Sequence, residues 1–270
     1  MSSIHARRMS HPNVVVEEVD ASKKHFEDLF GGILLIDMPG PDRHAYLVEI
    51  GGVVFEIFVP NAWLLNSRHG AQYLGIEYEA DMKEARAAVA AHNIRIIRDI
   101  DVAFHTHPMD ALGVDWEMFD GTFYGGDNPH LTTQCKPIEY WREQPLGLSG
   151  MKGYTLLVSD IDAASGFLQS FLSAKVLYEE DRPAIGAKAI GLQVADDICE
   201  FLSPTGKGPI RTELERIGQG IHSTIFRTVN LEKARQYFLD RNVELIAGTA
   251  PDRFAIAPSA NLGIMFEFSE

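Results

Sequence analysis

Four stretches of this chain share one hydrophobic pattern, apolar-Glu-apolar: "VVFEIFVP", "VDWEMFDG", "DICEFLSP" and "IMFEFSE". Each sets one glutamate inside an apolar run: Glu56, Glu117, Glu200 and Glu267. A short apolar run bounded by turn residues reads as a β-strand. Upstream of each lies a second recurring pattern, an apolar run that closes on a polar turn and continues as an amphipathic helix. These segments are "HPNVVVEEVDASKKHFEDLF", "LGIEYEADMKEARAAVAAHNI", "GYTLLVSDIDAASGFLQSFLSA" and "STIFRTVNLEKARQYFLDRNV". The turn residues Asp20, Asp81, Asp162 and Asn230 are suited to N-capping the helices that follow. Between helix and glutamate come β-rich runs such as "HAYLVEI" and "AKAIGLQV", broken by Gly, Pro and Asp. Each repeat therefore reads β-α-β-β-β with its glutamate on the last strand. Counted from His11, Leu74, Gly153 and Ser223, the glutamates follow after 45, 43, 47 and 44 residues, a spacing regular enough to mark an internal repeat.

Repeats one and two fill residues 11 to 119 and repeats three and four fill 151 to 268. Between them, "GTFYGGDNPHLTTQCKPIEYWREQPLG" has no period and is rich in Gly and Pro, which predicts a linker laid across the surface. The expected fold is α+β, with four βαβββ units paired into two half-barrel modules: a first module over 1–125, a linker over 126–147 and a second module over 148–270. Composition adds exclusions. At 270 residues, with 46% hydrophobic and 23% charged positions, the chain has material for one large domain or two small ones. A formal charge of −14 without clustered Lys and Arg argues against nucleic acid as a partner. Neither a signal-peptide apolar core nor a run of ~18 apolar residues is present, so a cytoplasmic protein without membrane partners is expected. Cys135 and Cys199 are too few for a disulfide framework or a thiolate metal site.

These repeats, their glutamates and their spacing resemble the vicinal oxygen chelate superfamily, the group of glyoxalase I, methylmalonyl-CoA epimerase, the bleomycin-resistance proteins and the extradiol dioxygenases. The resemblance covers nearly the whole chain. It implies paired sheets forming a cup, with a divalent metal held by residues of the first and last strands. It also implies a metal-binding His eight positions before the apolar residue that opens each helix turn. Counting back from Val19, Met82, Ile161 and Leu231 gives His11, Leu74, Gly153 and Ser223, so one His stands in register, and His222 lies one residue away. If neighbouring repeats pair, the implied metal set is His11, Glu56 and Glu117. If the outer repeats pair, it is His11, Glu56 and Glu267 with His222. A buried carboxylate is costly unless paired or bound to a cation, which fits a ligand role for the repeated glutamates.

"FHTHPMDALGVDWEMF" carries a further resemblance to the epimerase-like members in His107, Pro108, Gly113, Val114 and Glu117. Glu117, His105 and His107 are the candidate catalytic residues. The reading that follows is a lyase or isomerase acting on a small organic substrate with vicinal oxygens. Its cofactor is a divalent ion (Mn, Fe, Co, Ni or Zn) that polarises a carbonyl while a glutamate or His105 moves the proton. The alternative from another class is a metal-free binding protein whose cup, lined by aromatics such as Trp63, Trp116 and Phe119, encloses a flat ligand. A ring-cleaving dioxygenase ranks lower, because the iron ligands it implies in the C-terminal module fall on Gly153 and Ser223. The acidic surface and paired repeats are also compatible with a homodimer. Glu200, facing Gly153, is expected to bind nothing.

Overall fold

The computed structural model describes residues 2–40, 44–59, 70–126 and 128–270. Repeat one is β1 (Arg8–Val15), α1 (Val19–Phe30), β2 (Ile33–Pro39), β3 (His44–Ile50) and β4 (Val53–Phe58). Repeat two is β5 (Gln72–Glu79), α2 (Met82–Ala91), β6 (Ile96–Asp99), β7 (Ala103–Thr106) and β8 (Asp115–Phe119). A short helix, α3 (Ile138–Glu143), precedes repeat three: β9 (Leu148–Leu157), α4 (Ile161–Phe171), β10 (Lys175–Arg182), β11 (Ala187–Val194) and β12 (Asp197–Pro204). After α5 (Pro209–Ile217), repeat four runs through β13 (Gly220–Thr228), α6 (Leu231–Leu239), β14 (Leu245–Ala247), β15 (Phe254–Ile256) and β16 (Met265–Ser269). The strands form two eight-stranded sheets ordered β2-β3-β4-β1-β5-β8-β7-β6 and β10-β11-β12-β9-β13-β16-β15-β14. This is the α+β architecture of paired βαβββ repeats that the pattern predicts, with neighbouring repeats sharing a sheet. Among the described residues, no helix is long and apolar enough to cross a membrane.

Within each repeat the first strand runs parallel to the last, as a β-α-β-β-β path requires once the helix has crossed over. The helix starts are set by side chains. Asp81 accepts from Glu84 N at 2.8 Å and Asn230 from Lys233 N at 2.8 Å, as expected. The other two capping expectations are corrected. The α4 cap is Asp160, which accepts from Ala163 N at 3.0 Å, while Asp162 lies in the first turn. At α1 the capping position is Glu18, without a side-chain bond, and Asp20 lies inside the helix. Both acids still favour their helix through the positive N-terminal end of the dipole.

Chain contacts group into two compact units. One contains residues up to Ser10 with 74–122 and 153–222, and the other contains 11–73, 123–152 and 223–270. The first unit has a buried Tyr78–Tyr154 hydroxyl pair at 2.8 Å and the ring of His92, at the C-terminal cap of α2, packed against Phe167 and Phe171 on α4. The second unit has an aromatic core in which Phe26 and Phe30 of α1 meet Phe266, and Phe238 of α6 meets Phe268. Each such pair adds about 0.5–1.5 kcal/mol beyond the area it buries.

The segment expected as a linker packs within the second unit. Leu131 is buried against Leu35, Leu47 and Val54. Thr132 N and Oγ1 donate to Leu35 O at 2.9 and 2.6 Å, and Val54 N donates to the Tyr124 hydroxyl at 3.0 Å. Glu49, fully buried on β3, accepts from Lys136 N at 2.8 Å and from the indole of Trp141 on α3 at 2.9 Å. Burial raises the Glu49 carboxyl above the ordinary range although both donors pull it down. Strand register pairs Glu49 with Val54 and Leu47 with Glu56, so this segment lies on the glutamate face of repeat one.

Candidate functional site

Register places the four glutamates equivalently. Asn13 is opposite Glu56, Glu77 opposite Glu117, Thr155 opposite Glu200 and Ile225 opposite Glu267. Two residues earlier on the same strand faces stand His11, Gly75, Gly153 and Ser223. In repeat two the equivalent of His11 is therefore Gly75, one residue later than the count from the helix start suggests. A Cβ at Gly75 would stand 2.0 Å from Asp115 O, and one at Gly153 would stand 2.0 Å from Ile198 O. Backbone approach excludes an imidazole at both positions. In repeat two a carboxylate, Glu77, follows two residues on and is 4% exposed.

The face of β5, β8 and β7 around Glu117 is densely titratable. His105 pairs directly with Glu117 across the strands. Its Nδ1 lies 2.8 Å from Asp115 Oδ2 and its Nε2 3.0 Å from Glu117 Oε1, and all three residues are buried. Burial by itself would discharge the imidazole, but Glu117 and Asp115 together carry its pKa up to about 11. Asp115 is shifted upward by burial, against the pull of His105. With both ring nitrogens engaged, His105 holds Glu117 in one orientation and offers no free nitrogen of its own. Gly75, Glu77 and Glu79 alternate with apolar residues along "LGIEYEAD", and that period-two spacing is the sequence signal through which Glu77 was open to discovery.

His11 and Glu56 come together on β1 and β4, with Nε2 to Oε2 3.3 Å. His11 is buried, and the Glu56 side chain keeps 12% of its exposure. The Phe123 ring lies 5.6 Å from the imidazole. His107 stands past the end of β7, where its Nδ1 accepts from Met109 N at 3.2 Å and caps a short turn. His222 is half-buried on β13, next to Ser223 and so on the opposite strand face. Trp116 is fully buried, stacks with Tyr78 and turns away from the Glu117 face, so it does not line that face. Phe119 is two residues beyond Glu117 on the same face, and Trp63 lies outside the described residues.

The remaining two glutamates are neutralised by their own chain. Glu200 receives Arg182 Nη1 at 2.7 Å and Nη2 at 2.6 Å, together with the Tyr178 hydroxyl, and both members of the ion pair are buried. Glu267 accepts from the Ser223 hydroxyl, from Thr249 N at 2.8 Å and from Thr249 Oγ1 at 2.9 Å, with Arg253 Nη1 3.9 Å away. Donors, rather than open ligand positions, surround these carboxylates.

No family model matches the chain, and no curated protein matches it in sequence. One solved structure matches nearly the whole chain in fold, and others align with part of it. A triple mutant of 4-hydroxymandelate synthase from Streptomyces coelicolor superposes with a TM-score of 0.75 at 11% identity, covering 97% of this chain and 92% of that one. Methylmalonyl-CoA epimerase from Mycobacterium tuberculosis aligns at 22% identity over 45% of this chain and 87% of its own, with a TM-score of 0.43. A hypothetical protein from Bacillus halodurans aligns at 24% identity over 44% of this chain and 91% of its own, with a TM-score of 0.41.

Proposed function

We propose, from the vicinal oxygen chelate fold that this chain shares with its structural neighbours, that it is a divalent-metal-dependent lyase or isomerase for a small substrate with adjacent oxygens. The supporting observation is that His11, Glu77 and Glu117 each offer one ligand atom, all within 4.8 Å of one another. Among the described residues this is the group of His, Cys, Asp and Glu whose spacing suits a metal ion. One imidazole and two carboxylates suit a borderline divalent cation such as Mn, Fe, Co, Ni or Zn. Their burial fits as well, because two adjacent carboxylates removed from water need positive charge beside them.

Glu77 thus joins His11 and Glu117 as a metal ligand, and Glu56 becomes the base. When bound, the ion supplies Lewis acidity that polarises a substrate carbonyl and stabilises an enolate. The chain's own groups do the rest. His105, fixed by Asp115, keeps one Glu117 oxygen occupied and directs the other. Glu56, partly exposed and 3.3 Å from His11, takes a proton from the carbon next to the carbonyl and returns it. A dioxygenase site in the C-terminal module finds no support, because Glu267 is enclosed by Ser223, Thr249 and Arg253.

Solvent exchange tests this reading. The metal-loaded chain, incubated in D2O with a panel of 2-oxo acids and hydroxyketones, should replace a substrate carbon-bound hydrogen with deuterium, read by NMR. Glu56→Gln should abolish exchange while metal content stays intact. Metal binding without exchange on any member of the panel would remove the lyase or isomerase assignment. Absence of metal after supplementation would leave a metal-free binding protein.

A further inference from the structure

The first strand of each repeat offers three successive positions on its glutamate face. In repeat two these are Gly75, Glu77 and Glu79 on β5, and unbroken register from Gly75 opposite Asp115 to Glu79 opposite Phe119 keeps all three on that face. The third position is filled differently in the other repeats. Val15 holds it on β1, opposite Phe58, and Leu157 holds it on β9, opposite Leu202, and both are fully buried. Leu157 packs against Ile210 of α5. Arg227 holds it on β13, opposite Ser269, and is exposed. Glu79 therefore sets a carboxylate where two sister repeats bury an aliphatic side chain, and it is itself only 8% exposed. Its Oε1 is buried and accepts no hydrogen bond. The cations closest to it along the chain and across the face are engaged elsewhere. Arg7 donates its backbone N–H to Glu79 O at 2.7 Å, but its guanidinium bonds Asp120 at 3.2 Å and Ala80 O at 3.4 Å. Both ring nitrogens of His105 are engaged by Asp115 and Glu117. A buried carboxylate oxygen without a donor opposes folding, and a local choice that works against the fold marks a place where a ligand supplies the missing partner.

We propose that Glu79 is the specificity-determining residue of this site and receives an ammonium group, so that the ligand is a chelating 2-hydroxy or 2-oxo acid with a protonated amine at its far end. The inference rests on the metal reading above and names the substrate class that reading leaves open. Residues two apart on a strand are separated by about 6.7 Å, so Glu79 follows Glu77 along one face at the span of a short alkyl chain. Charge selects the group that Glu79 accepts. A divalent ion held by Glu77 and Glu117 balances those two carboxylates and leaves Glu79 unbalanced, and Asp115 adds a further acid to the same face. A ligand anion is repelled there. An ammonium is attracted, brings several N–H donors, and forms the charge-assisted bond that the buried Oε1 lacks.

Calorimetry on the full manganese-loaded chain tests this, with manganese content measured before titration. The probes are 5-amino-2-hydroxypentanoate and 2-hydroxyhexanoate, which share length and chelating group and differ in an ammonium against a methyl. The amine should bind at least ~10-fold more tightly, as a charge-assisted bond provides. Glu79→Gln should erase that difference by weakening the amine alone, with manganese content unchanged. Equal affinities in the native chain, or equal weakening of both ligands or loss of manganese in Glu79→Gln, would overturn the Glu79 assignment while leaving the metal reading standing. A second readout needs no metal. Glu79→Leu, which places the repeat-three side chain at this position, should raise the urea midpoint of the metal-free chain, and a midpoint that does not rise would show that the carboxylate serves the fold instead. A native chain that takes up no manganese overturns the metal reading, and the subsite with it.

Discussion

A carboxylate buried on a strand needs positive charge or several donors, and the four repeats meet that need with different residues. Glu200 has a guanidinium on both oxygens. Arg182→Ala would leave that charge buried without its guanidinium, and we expect a loss of about 3–5 kcal/mol in urea unfolding with metal content unchanged. Glu117 has an imidazole on one oxygen, and His105→Asn should weaken metal affinity by ~10–100-fold in competition with a chelator. The same residue sets a pH dependence in the metal-free chain. Its folded pKa, about 11, lies above the ordinary 6.5, so its contribution to stability is complete below 6.5 and declines as pH rises toward 11. His105→Asn should flatten that slope in denaturant titrations across pH. Repetition pointed to Glu117, the count that the resemblance implies pointed to His11, and the "FHTHPMDALGVDWEMF" stretch pointed to His105. Glu77 was missed although its period-two spacing stands in the sequence, because a family count from the helix start lands on Leu74, and the one-residue offset shows in the packing of Gly75 against Asp115 O. Asp115 was hidden for a simpler reason: its partner His105 is ten residues away and is brought to it only by strand pairing.

The four repeat helices followed the apolar pattern closely, since a period of 3.6 over nine or more residues leaves little ambiguity. The segment after repeat two did not. Its helix, α3, has six residues, too few to show a period, and its anchors are single side chains. Two connecting segments turn out to do similar work. Residues 123–141 cover the glutamate face of repeat one, and α5 packs Ile210, Leu214 and Ile217 on Leu157, Ala189 and Leu202, the glutamate face of repeat three. The absence of a period after repeat two therefore concealed packing that only the folded sheet creates. Trp141→Ala removes a fully buried indole and its bond to Glu49. It should cost about 3–5 kcal/mol and speed proteolytic cleavage between 123 and 137, read by mass spectrometry. Unchanged cleavage would show that the segment is held by other contacts.

At the scale of the molecule, four copies of one unit have diverged into two sheets with unequal chemistry. The first carries His11, Glu56, Glu77, His105 and Glu117, and the second carries carboxylates already bonded to Arg182, Ser223 and Thr249. Repetition made the doubled architecture readable from sequence, whereas the inequality depends on which side chains meet across strands. Duplication of a fold without duplication of its site predicts one metal per chain instead of two. The most direct test is the metal content of chelator-free protein and of Glu77→Gln, Glu117→Gln, Glu200→Gln and Glu267→Gln, measured by inductively coupled plasma mass spectrometry after equilibration with a fixed low concentration of manganese. About one equivalent is expected in the native chain, with its loss in Glu77→Gln and Glu117→Gln and its retention in Glu200→Gln and Glu267→Gln. Two equivalents, or loss in Glu267→Gln with retention in Glu117→Gln, would contradict it.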